Sequence, residues 1–210
     1  MTLGNRGGRT TRVNQVAVAS RVSDALMDLI LSVPKSNEAL SAAPEVRSVA
    51  LMQKASSTTA KISGAAALIP GPMGLLTILP DMYAIWRVQA QLVADIASVY
   101  GRSQTLGKEQ MVWCLFKHSF LHVATDFVMQ VGERYLVRRT SLQMMQKLIG
   151  VVGVKITQRF LGKAVARYLP FLGAAAVARY AYVDTRKVGM NAIALFSREI
   201  VVENDEPGVG

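Results

Sequence analysis

Cys114, His118, His122 and Asp126 follow one another at intervals of four in the stretch WCLFKHSFLHVATDF. Thiolate, imidazole and carboxylate are the groups that ligate zinc or relay protons. Helix geometry restricts the set, because each four-residue step rises about 6 Å and advances about 40° round the axis. All four cannot meet at one ion. His118 and His122 are the neighbouring pair that could share a metal, with further ligands coming from elsewhere. No Glu follows His118, so the HExxH pattern and its general base are missing. The plainer expectation is two helix histidines, one turned to the core and one to the surface. The enzymatic alternative is a hydrolase-like or metal-binding site built on His118, His122 and Asp126.

A second polar set, Asp81, Arg87, Gln89, Gln91 and Asp95, could line a polar pocket. Asp81 and Asp95 would stand about 21 Å apart along a helix, too far to act as a carboxylate pair on one substrate. The simpler reading has Asp81 in a helix first turn and Asp95 paired with a base such as Arg138 or Lys155. Phosphate-loop, GxSxG, CxxC and DxDxDG signatures do not occur, so no cofactor is expected.

The third set is cationic. From Arg134 to Val183 there are nine Lys/Arg residues and no acid. Lys155, Arg159, Lys163 and Arg167 fall at steps of four, among Ile156, Phe160, Leu161 and Val165. A solvated helix usually mixes signs for intrahelical pairing. An acid-free cationic ridge beside apolar surface, helped by Arg138 and Arg139, suits anionic lipid or an acidic membrane-protein partner. Nucleic acid is not expected, since no helix-turn-helix or RNA-module pattern accompanies the charge.

These groups must be held by helices. Apolar positions recur at helical spacing over 13–33, 45–68, 73–100, 108–131, 133–149, 154–168 and on to about 202, with Pro80 kinking the third and Gly101 stopping it. No stretch alternates with a period of two. The expectation is an all-α compact bundle of about seven helices with no sheet. It forms one domain over 13–202, between a disordered basic segment 1–12 and a flexible acidic tail 203–210. Small residues in the second helix (Ala50, Ala55, Ser56, Ala60, Ser63, Gly64) allow close helix approach.

The uncharged stretch Gly64–Pro80 is near the lower limit for a membrane span and is broken by Pro70, Gly71, Pro72 and Gly74. It reads as an apolar helical hairpin, with Leu68, Ile69, Met73, Leu75 and Leu76 either buried or set shallowly in lipid as a wedge. The chain's 210 residues can bury a real core. They are 51% hydrophobic and 18% charged, with a net charge of +10. That balance favours acidic partners. A lone cysteine excludes an internal disulfide. Arg21, Asp24 and Asp28 interrupt what would follow a signal peptide's basic head, so cytoplasmic retention is expected.

Residues 69–101, IPGPMGLLTILPDMYAIWRVQAQLVADIASVYG, resemble the EcsC protein family: an apolar Pro/Gly turn, a further Pro, a Gln-containing helix and a closing Ile96, Ala97, Tyr100, Gly101. Residues 169–196, LPFLGAAAVARYAYVDTRKVGMNAIALF, look like that family's C-terminal pattern. The resemblance implies a mainly bacterial origin and an association with membrane transport systems. It implies no reaction. Together these readings point to a non-enzymatic accessory protein, peripheral to the inner face of the cytoplasmic membrane.

Overall fold

Pro44 starts a helix as an N1 proline should, and Gly101 ends another, yet the chain beyond Gly101 is not purely helical. A computed structural model describes residues 7–67, 78–119, 127–163 and 170–203, with the backbone alone described at 7–15, 78–79, 159–163 and 170–173. The described helices are α1 (Gly7–Leu31), α2 (Pro44–Ala66), α3 (Ile78–Val99), α4 (Lys108–Phe116), α5 (Leu142–Lys163) and α6 (Pro170–Phe196). Three strands accompany them: β1 (Val128–Val131), β2 (Arg134–Arg138) and β3 (Glu199–Glu203).

The sheet overturns the all-α expectation of about seven helices and no strands. The helix expected over 108–131 stops at Phe116, and the one expected from 133 begins only at Leu142. Between them β1 and β2 form an antiparallel hairpin, and β3 lies parallel to β2 on its other side. Gly132 has φ +62 and no non-glycine residue has positive φ, so the Gly132–Glu133 turn follows the II′ pattern that suits a two-residue hairpin. Tyr135 and Val137 are buried, with Ile200 and Val202 partly buried in the same register, so alternation exists but spans only five residues per strand. Trp113 meets Tyr135 edge-on at 5.4 Å and ties α4 to the sheet. Lys117 lies over Trp113 at 4.2 Å, and burial lowers its pKa from the ordinary lysine range.

Other boundaries also move. α1 opens at Gly7, so residues 7–12 are helical rather than disordered. The last helix ends at Phe196, and 199–203 are strand rather than helix and tail. α5 runs unbroken through Gly150 and Gly153, where a join between two helices was expected. Gly153 lies close against α1: a Cβ there would collide with Ser23 Oγ and stand 3.2 Å from Ala19 O. α3 ends as expected. Gly101 has φ +71, its N–H bonds Ser98 O at 2.8 Å and Arg102 N–H bonds Ala97 O at 2.7 Å, which is a Schellman stop.

The core follows from these pairings. Among the described residues α2 and α6 make the most extensive helix contact, with Ser48, Met52, Ser56, Thr59 and Ser63 of α2 buried. The cores of α3 (Val93, Ile96), α4 (Met111, Trp113) and α5 (Met145, Ile149) pack inward with Leu26 and Ile30 of α1.

Candidate functional site: a five-helix cavity and a cationic helix face

α3 turns Met82, Ile85, Trp86 and Gln89 to one side, and α6 turns Val177, Tyr180, Ala181 and Asp184. Both sets have the i, i+3, i+4, i+7 spacing of a single helix stripe. In each, three non-ionisable or apolar-bodied positions end in a polar group. The two stripes line a cavity of about 80 Å³, completed by Ser63 of α2, Leu115, Phe116, His118 and Ser119 at the end of α4, and Ile156 of α5. That volume exceeds what a single water needs.

The polar end is a connected network. His118 Nε2 lies 2.8 Å from Asp184 Oδ1. Gln89 Nε2 donates to Asp184 Oδ2 at 2.9 Å and to Thr185 Oγ1 at 3.1 Å. Thr185 Oγ1 in turn meets Thr59 Oγ1 at 2.9 Å. Gln89, Thr185 and Thr59 are buried, while the side chains of His118 and Asp184 retain 11% and 23% exposure. An ionised carboxylate only accepts, so Nε2 carries the hydrogen and donates it to Asp184. His118 Nδ1 is buried with no hydrogen-bond partner among the described residues.

The expected stripe does not assemble here. Cys114 faces the core, fully buried, and burial pushes its thiol far above the ordinary range. α4 ends two residues before His118, so the helical spacing is interrupted. His122 and Asp126 lie outside the described residues, and the carboxylate that holds His118 is Asp184, sixty-six positions on. No group of three or more His, Cys, Asp or Glu suited to a metal occurs among the described residues. Asp184, Thr185 and Thr59 were missed. One signal was present in the sequence: Asp184 is the first acid after the long acid-free band, set inside an otherwise apolar and basic helix.

The expected polar pocket separates into parts. Gln89 reaches the cavity, whereas Arg87 is exposed and Asp81 lies part-buried in the first turn of α3. Asp95 Oδ1 accepts from Ser36 Oγ at 2.7 Å and Gln91 Nε2 at 2.8 Å, and Gln91 also donates to Lys35 O at 3.1 Å. Asp95 therefore fastens the α1–α2 connection to α3. It does not pair with Arg138 or Lys155 as expected.

The cationic band is likewise divided. Arg134 pairs with Glu199 at 2.8 Å and Arg138 with Glu203 at 3.3 Å, directly across the β2–β3 register. Arg138 is thus not available on the docking face as expected. Arg139 is exposed at the end of β2. On α5, Met144, Lys147, Val151, Val154 and Lys155 are all exposed, and helical spacing places them within one stripe. The whole of α5 contains no acid. The side chains of Arg159 and Lys163, all of Arg167, and the wedge residues Leu68, Ile69, Met73, Leu75 and Leu76 lie outside the described residues. Among the described residues no helix is long and apolar enough to cross a membrane.

No protein-family model, curated protein or solved structure matches this chain.

Proposed function

We propose that the protein is a non-enzymatic peripheral accessory protein that docks on an anionic membrane through the outer face of α5. The observation that carries this is the exposed stripe of Met144, Lys147, Val151, Val154 and Lys155 on an acid-free helix. Exposed methionine and valines beside lysines give the two attractions that peripheral attachment requires, apolar burial and headgroup charge. In the proposal Arg139, Arg159, Lys163 and Arg167 add charge to the attraction, and Leu68, Ile69, Met73, Leu75 and Leu76 supply a second, shallow apolar contact. The resemblance to the EcsC family agrees with such a place, on the inner face of the cytoplasmic membrane near transport proteins.

Co-sedimentation with vesicles tests the reading. Wild type should pellet with vesicles containing anionic lipid and stay in solution with zwitterionic ones. A variant with Lys147, Lys155, Arg159, Lys163 and Arg167 changed to Gln should stay in solution with both. Equal pelleting of the two proteins on anionic vesicles would remove the α5 face from the account. Failure of wild type to pellet on either vesicle would favour an acidic membrane-protein partner instead.

A further inference from the structure

The cavity between α3 and α6 has a charge character opposite to that of the molecule around it. The chain has 24 Lys/Arg against 14 Asp/Glu, yet no Lys or Arg is among the described residues lining this space. Its one acid is Asp184, and its one histidine, His118, is hydrogen-bonded to that acid. The other polar groups hold that carboxylate still. His118 Nε2 occupies one oxygen and Gln89 Nε2 the other, so Asp184 is oriented before any ligand arrives. Each carboxylate oxygen has a second lone pair, which leaves acceptor capacity that these two donors do not fill.

We propose that this cavity binds a primary ammonium group carried on a short apolar stem. Each part of the wall has a matching role. The apolar side chains Met82, Ile85, Leu115, Ile156 and Val177 take the stem. Asp184 takes the ammonium, which supplies both a charge and several donors. Trp86, Phe116 and Tyr180 add aromatic surface, which attracts cations and repels anions. A fatty carboxylate or phosphate would meet Asp184 with no Lys or Arg in the described wall to compensate. A neutral alcohol would gain a hydrogen bond but no charge pairing. The molecule's net positive charge opposes the approach of a cation only weakly, because salt screens charges beyond about 8 Å. Asp184 acts at contact. The inference does not depend on docking by α5, and its readout is separate.

The test is calorimetric titration of the full-length protein, without lipid, with propylammonium, propanol and propanoate. Propylammonium should bind most tightly, propanol more weakly by about tenfold or more, and propanoate more weakly still. Asp184→Asn, nearly the same shape, should lose about tenfold or more in propylammonium affinity while propanol affinity holds. Ala181→Leu, which fills the cavity without touching the charge, should weaken propylammonium and propanol alike. Thermal unfolding of both variants checks that they are folded, and the ranking of the three probes on wild type requires no variant. Propanoate binding as tightly as propylammonium, no binding of any probe, or unchanged propylammonium affinity in folded Asp184→Asn would overturn the proposal.

Discussion

Gln89 is the residue on which the polar end of the cavity turns. Its amide donates to both Asp184 and Thr185 from a nearly fully buried position. Gln89→Leu removes both donors and leaves a part-buried carboxylate with one partner fewer. The expected loss is about 1–3 kcal/mol, read as a lower urea midpoint. Gln89→Glu should cost more, because a second carboxylate would then face Asp184. Cys114 shows the opposite use of burial. Its thiol sits in the core with a raised pKa, so it is held protonated and unreactive. A thiol reagent such as DTNB should label it only as the protein unfolds. The pH dependence has a definite sign. Above the ordinary thiol value of 9.0 the unfolded chain releases this proton while the folded one keeps it, so stability falls as pH rises past that point. Below it both states are protonated and Cys114 contributes no slope. Cys114→Ala should flatten the alkaline decline in the unfolding free energy, and an unchanged slope would mean other groups dominate.

At the scale of elements, the pairing of α2 with α6 is set by small residues, as the composition of α2 led one to expect. Gly189 shows how tight it is: a Cβ there would lie 2.6 Å from Met52 Cγ and 3.1 Å from Met52 Cβ. Gly189→Ala gains about 1 kcal/mol of helix propensity but overpacks this contact by about 1–3 kcal/mol. Met52→Ala alone leaves a cavity and should cost about 2–5 kcal/mol. Combined, the two changes should cost less than their sum, because the new methyl occupies space that Met52 vacates. Denaturant unfolding of the four proteins in this cycle measures that coupling, and strict additivity would show that the helices shift apart instead. The same scale explains what the sequence did and did not disclose. The helix start at Pro44 and the stop at Gly101 are local chemistry and were legible. The sheet was not, because β2 is stabilised by β3 more than sixty residues later, and five-residue strands offer too few alternations to stand out. Its traces are nonetheless there: RYLVR and EIVVE carry opposite charges at matching positions, and Arg134 and Arg138 meet Glu199 and Glu203. The site divides similarly. His118 and Gln89 stood out as polar residues on apolar helices, but only the fold brings Asp184 to both of them.

Over the whole molecule the net charge of +10 and the exposed stripe of α5 act together, and they separate under salt. A lysine close to an anionic leaflet contributes about 1 kcal/mol. Lys147 and Lys155 together are therefore worth about 2 kcal/mol, and changing both to Gln should lower the vesicle partition coefficient by about thirtyfold at low ionic strength. Raising the salt to about 1 M shortens the screening length from about 8 Å to about 3 Å, which removes most of the charge contribution but little of the apolar one. Wild type should thus release steeply from anionic vesicles with added salt and then level off above zero. That residue of binding belongs to Met144, Val151 and Val154. A variant with Val151 and Val154 changed to Ser should bind at low salt and retain less than wild type at high salt, whereas the lysine variant should bind more weakly at low salt and respond less steeply to salt than wild type. Identical salt curves for the two variants would mean that charge and apolar surface on α5 do not act on the same lipid face, and the docking proposal would lose its geometric basis.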